Sequence, residues 1–194
     1  MKNTNAKKNS PLRSLLVLAA FGVVCIAFNP TAQAQAAPNS SAAQATLKPG
    51  VLDRVQTAAF LPHAVYFKGA SATVQDRNSA GIRFPGGALT LAVLVDVSGY
   101  SSAVQQTYQG YLFNEVHLRI GDKTLPPGAY GFGFVAGNRV VVLDIGGHEV
   151  LHATTTHDDK IRRPDPLQIV PDPGMPGHYL LYLGRNYVTL SEAK

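Results

Sequence analysis

The chain has 194 residues, a formal net charge of +5 and one cysteine, which leaves room for one ordinary domain. Four of its positive charges, Lys2, Lys7, Lys8 and Arg13, precede residue 35, so the remainder sets 13 lysines and arginines against 12 acids. That near-balance, with no long basic run, excludes a nucleic-acid footprint, and the lone Cys25 excludes a disulfide, a later thiolate nucleophile and a Cys-ligated metal site.

The first 34 residues read as a secretory signal peptide. The basic start MKNTNAKKNSPLR leads into SLLVLAAFGVVCIAF, 15 uncharged residues, and then to Ala32-Gln33-Ala34. A basic region, a short apolar run and a small-x-small site are the parts of such a signal. The expected cut follows Ala34, with Ala36 or Ala37 as alternatives. An apolar run this short falls below the roughly 20 residues of a membrane helix, so no span is expected after cleavage; an uncleaved anchor is the alternative. Val24 before Cys25 and Ile26-Ala27-Phe28 after it do not fit a lipoprotein signal. Export places the product in the periplasm or outside the cell.

Residues 35–50, QAAPNSSAAQATLKPG, are small and polar and read as a flexible tether. Residues 51–194 form the domain. LDRVQTAAF (52–60) can hold a short helix. HAVYF (63–67) and ASATVQ (70–75) are paired or continuous strands. LTLAVLVDV (89–97) alternates apolar residues with Leu89, Leu91, Val93, Val95 and Val97 on one face. SSAVQQTY (101–108) is the second helical candidate. YLFNEVHLRI (111–120) reads as one half-buried strand, with Leu112, Val116, Leu118 and Ile120 inward and Glu115, His117 and Arg119 outward. AYGFGFV (129–135) sets Tyr130, Phe132 and Phe134 against Gly131 and Gly133, over which another layer can approach closely. RVVVLDI (139–145) follows the Gly137-Asn138 turn, and HYLLYLGRNYVTL (178–190) is the last strand, broken near Gly184. KIRRPDPLQIVPDPGMPGH (160–178) carries five prolines, so it is a surface loop or an edge segment. The predicted fold is therefore all-β, a single antiparallel sandwich or small barrel.

His148-Glu149-Val150-Leu151-His152 matches H-E-x-x-H, the zinc-protease motif. On a helix, residues i and i+4 share one face about 6 Å apart along the axis, and two imidazoles can hold one zinc while the glutamate acts as base. On a strand the same residues lie about 13 Å apart and do not converge. RVVVLDI leads into Gly146-Gly147, a hairpin pair, and HEVLHATTT is rich in β-branched residues. The expectation is a strand, no metal centre, and no cofactor. The alternative is a zinc-dependent hydrolase with His148 and His152 as ligands and Glu149 as base. A two-residue turn would place Asp144 opposite Glu149, a like-charge pair; a bulge that shifts the register is the expected remedy, and a cation bound by the pair is the alternative.

Other constellations are weaker. Asp96 in VLVDVSGY and Asp144 in VVLDIGGH end similar strands and are expected to bond turn amides; acid–base chemistry between them, or a shared metal ion, is the alternative. His152, His157, Asp158 and Asp159 form a polar turn, with a loop-borne metal as the alternative. Arg162, Arg163 and Arg185, with Tyr182 and Tyr187, are the candidate ligand-binding set, suited to an anionic or sugar-like ligand. No nucleophile elbow and no phosphate-cradling glycine loop are present.

GYSS (99–102), LPPGAYGFGF (125–134), DIGG (144–147), RRPDPLQ (162–168) and GRNYV (184–188) resemble segments of uncharacterised secreted bacterial β-rich proteins. The resemblance covers most of residues 60–190 and implies an exported β domain without naming an activity. The expected function is a non-enzymatic binding or structural module whose partner is a small ligand, a glycan or an envelope protein.

Overall fold

A computed structural model describes residues 48–193. The expected signal peptide, and the tether up to residue 47, lie outside the described residues. The domain begins with β1 (Gly50–Leu52), α1 (Arg54–Ala58), β2 (Ala64–Phe67), β3 (Ala70–Arg83) and β4 (Leu89–Val95). Next come α2 (Ser102–Gln105), β5 (Gly110–Asn114), β6 (Leu118–Ile120), β7 (Lys123–Leu125), β8 (Gly128–Val135) and β9 (Arg139–Leu143). β10 (Glu149–Thr154), β11 (Thr156–His157), β12 (Leu167–Pro171), β13 (His178–Leu183) and β14 (Asn186–Glu192) complete it.

These strands form two antiparallel sheets. The first has eight strands in the order β1-β3-β4-β5-β8-β9-β10, with β2 paired to the start of β3. The second has six in the order β12-β13-β14-β6-β7, with β11 beside β14. The two stack through one apolar cluster, so the fold is a sandwich. Ile82, Leu112, Phe132, Val140 and Val142 of the first sheet meet Leu118, Ile120, Ile169, Leu181, Val188 and Leu190 of the second. Removing this apolar surface from water, at about 25 cal/mol per Å², is what joins the layers.

The first sheet is also covered on its other face, which the alternation of β4 does not reveal. Val93 and Val95 join Val65, Phe67, Val74, Tyr108, Val141 and Leu143 in a second cluster. Phe67 and Tyr108 stack with centroids 3.8 Å apart. They lie over Gly131, where a Cβ would stand 2.8 Å from Phe67 Cε2 and 3.0 Å from Tyr108 Cδ2. The close approach expected at the β8 glycines is thus present, made by β2 and the segment after α2. Both short helices form where expected. α1 is closed by a capping box, with Asp53 Oδ1 accepting from Gln56 N at 2.8 Å and Gln56 Oε1 accepting from Asp53 N at 2.9 Å.

Residues 111–120 are not one strand. The chain leaves the first sheet after Asn114 and enters the second at Leu118. Asn114 pins the crossing: its Oδ1 accepts from Thr90 Oγ1 at 2.8 Å, and its Nδ2 donates to the Val116 carbonyl at 2.6 Å and the Pro126 carbonyl at 3.2 Å. Glu115 accepts from Leu89 N at 2.7 Å. The proline-rich segment supplies an edge strand, β12, flanked by loops. HYLLYLGRNYVTL is a hairpin, turned at Gly184, whose φ is +60°.

Candidate functional site

The H-E-x-x-H segment is extended. β10 pairs with β9 through a bulge, so Glu149 faces Leu143 and Leu151 faces Val142. Asp144 therefore escapes Glu149 and folds over the turn instead. Its Oδ1 accepts from His148 N at 2.9 Å, and its Oδ2 lies 3.0 Å from His148 Nδ1. These bonds, the His148 backbone N–H first, hold the Asp144 carboxyl below the usual carboxylate range. His152 Nδ1 meets a different carboxylate, Glu149 Oε1, at 2.6 Å. The two imidazoles are 81% and 54% exposed and each is held by its own acid. Glu149 is occupied by His152 rather than poised beside a shared ion, and the i, i+4 convergence that the zinc chemistry requires is not formed.

Asp96 and Asp144 both bond turn amides; Asp96 Oδ1 accepts from Ser98 N at 2.9 Å, which lowers its pKa. The second polar set divides too. His157 Nδ1 lies 2.8 Å from Asn186 Oδ1 and its Nε2 lies 3.2 Å from Asp159 Oδ1, whereas His152 stays with Glu149. Among the described residues, no group of three or more His, Cys, Asp or Glu side chains is arranged to hold a metal ion.

Tyr182 and Tyr187 do come together. They face each other across β13 and β14, centroids 5.0 Å apart, on the face of the second sheet turned away from the core. Alternation explains this placement: Tyr179, Leu181 and Val188 point into the sandwich, so Leu180, Tyr182, Tyr187 and Thr189 point out. These outward side chains floor a concavity of about 760 Å³, walled by residues 157–160 and by Asp172, Pro173 and Met175. β11 brings the first wall into place by pairing with β14, and Asp158 N donates to the Arg185 carbonyl at 2.9 Å. The second wall is the turn after β12, where Asp172 Oδ1 accepts from Gly174 N at 2.8 Å.

Tyr182 is 5% exposed and donates its hydroxyl to Asp158 Oδ2 at 3.1 Å. Burial, then the bond to Asp158, pushes its pKa up to about 12. It is a neutral donor near pH 7, and it fixes Asp158. Asp158 Oδ1 accepts in turn from Lys160 N at 2.9 Å. The concavity thus pairs aromatic surface with oriented carboxylates and the Lys160 ammonium, a mixture of apolar contact and convergent polar groups common to ligand sites.

The arginines of the predicted set lie elsewhere. Arg162, Arg163 and Arg185 are exposed and do not line the concavity. Arg185 Nη2 is 3.5 Å from the Arg162 carbonyl, so that guanidinium reaches the 160–166 loop. Sequence reasoning missed Lys160, Asp172, Met175, Leu180 and Thr189 as wall and floor. The outward phase of β13 and β14 was the available signal for Leu180 and Thr189, and the Asp172-Pro173-Gly174 turn was the signal for Asp172. Comparison with protein-family models, curated proteins and solved structures returns no match to this chain.

Proposed function

We propose that this chain is an exported, non-enzymatic domain of the periplasm or cell exterior that binds a saccharide in the concavity over Tyr182 and Tyr187. The observation that carries the proposal is the meeting of that tyrosine pair with Asp158, Asp172 and Lys160 in one concavity. A sugar ring has apolar C–H faces and hydroxyl edges. The faces suit a tyrosine ring, and hydroxyls can donate to carboxylates and accept from an ammonium. The signal-like first 34 residues support export. The extended strand at His148 supports binding over zinc hydrolysis, since its two imidazoles are held by separate carboxylates.

A thermal-shift screen of mono- and oligosaccharides tests the proposal. A shift with at least one saccharide, lost in Tyr187→Ala, is expected. A shift that survives Tyr187→Ala, turnover of the added saccharide, or no shift with any of them counts against it.

A further inference from the structure

We infer that the saccharide taken by this concavity carries a free amine, as in an oligomer of de-acetylated amino sugar; the inference rests on the saccharide reading above. The reason is uncompensated charge. Asp158, Asp159 and Asp172 line the concavity, with Lys160 as the one lysine or arginine among the lining residues. Lys160, Arg162, Arg163 and Arg185 form no ion pair with any of the three acids, although all four lie nearby in the chain or the fold.

The bonds that orient these acids come from a hydroxyl, backbone amides and one imidazole. Asp158 takes Tyr182 Oη and Lys160 N, Asp172 takes Gly174 N, and Asp159 lies against His157 Nε2. The hydroxyl and the amides fix oxygen positions and add no positive charge. A neutral ring laid over Tyr187 would strip water from the half-buried Asp158 and Asp172 without replacing it in full. An ammonium replaces it with charge-assisted hydrogen bonds, roughly twice as strong as neutral ones, and can also rest on the half-buried Tyr187 ring. An anionic sugar would meet three carboxylates. The arginines do not reverse this balance inside the concavity, because none lines it and none pairs with its acids.

The test compares a glucosamine trimer with its fully N-acetylated counterpart by calorimetry, at a pH where the amines are protonated. The full chain is used. The amine form is expected to bind about tenfold tighter or more, equivalent to about 1.4 kcal/mol. That preference should shrink with added salt in the unaltered protein and in Asp158→Asn and Asp172→Asn, with folding of each variant checked by thermal unfolding. Equal or tighter binding of the acetylated trimer overturns the amine inference and leaves the saccharide reading standing. A preference insensitive to both salt and the two substitutions also overturns it. Binding of neither trimer, nor of any neutral saccharide, removes the reading on which the inference rests.

Discussion

Replacing Gly131 with alanine probes the packing of the sandwich's outer layer. The added Cβ would lie 2.8 Å from Phe67 Cε2 and 3.0 Å from Tyr108 Cδ2, where carbon pairs prefer about 3.5–4.0 Å. Neither ring has room to retreat. Phe67 is 1% and Tyr108 0% exposed, and Tyr100 and Tyr111 pack edge-on around the stacked pair. Overpacking of this kind costs about 1–3 kcal/mol. Loss of glycine's backbone freedom in the unfolded chain returns about 0.5–1 kcal/mol. With two close ring contacts the cost falls in the upper half of that range, about 2–3 kcal/mol, so the net is a destabilisation of about 1–2.5 kcal/mol, or a fall in Tm of about 2–10 °C for a domain of this size. Urea unfolding followed by circular dichroism reads it. Gly86→Ala is the control, since its Cβ meets nothing within 4 Å, and it should be neutral or slightly stabilising. A Gly131→Ala domain as stable as the parent, or a Gly86→Ala domain destabilised as much, would refute the packing argument.

Asn114→Ala removes the side chain that bonds Thr90, Val116 and Pro126 at the crossing between sheets. It should cost about 2 kcal/mol or more in urea unfolding, because buried partners lose their bonds. Gln109 accepts from Phe134 N at 2.9 Å and donates to its carbonyl at 3.2 Å; Gln109→Ala should cost about 1–2 kcal/mol by the same measurement. Tyr182 binds its proton more tightly folded than unfolded, with a pKa of about 12 against the ordinary 10.0. The folded state therefore holds more protons between those values, and stability should be full below pH 10.0 and decline toward about 12. In Tyr182→Phe this part of the alkaline loss should vanish. Elemental analysis of the purified chain should give the same zinc content for the parent and for His148→Ala with His152→Ala; stoichiometric zinc lost only in the double variant would restore the hydrolase alternative.

Most strand positions were legible in the sequence because period-2 alternation fixes which residues point inward. The break inside 111–120 was not. Leu112, Val116, Leu118 and Ile120 keep a single phase across it, since the chain passes between two sheets whose inner faces share one core. A continuous alternation therefore cannot distinguish one strand from a crossing. The second half of β3 was hidden for another reason: Asp76, Arg77 and Asn78 interrupt it at a bulge, after which Ser79–Arg83 resumes pairing with β4. β7 was concealed by the prolines that follow it. The bulge at Glu149 was legible, because like charges opposite one another demanded it. The concavity was legible only in part. Its tyrosines sit in one hairpin, but its acids come from residues 158–159 and 172, separate segments brought together by β11 and the end of β12. No spacing in the sequence links them.

The most direct measurement of the central claim is a nuclear magnetic resonance titration of the folded domain with the saccharide that gives the largest thermal shift. The account predicts perturbed signals at Tyr187, Asp158, Lys160 and Asp172, converging on the concavity of the second sheet. Perturbations confined to the His148–His152 hairpin, or to Arg162 and Arg163 outside the concavity's lining, would contradict it.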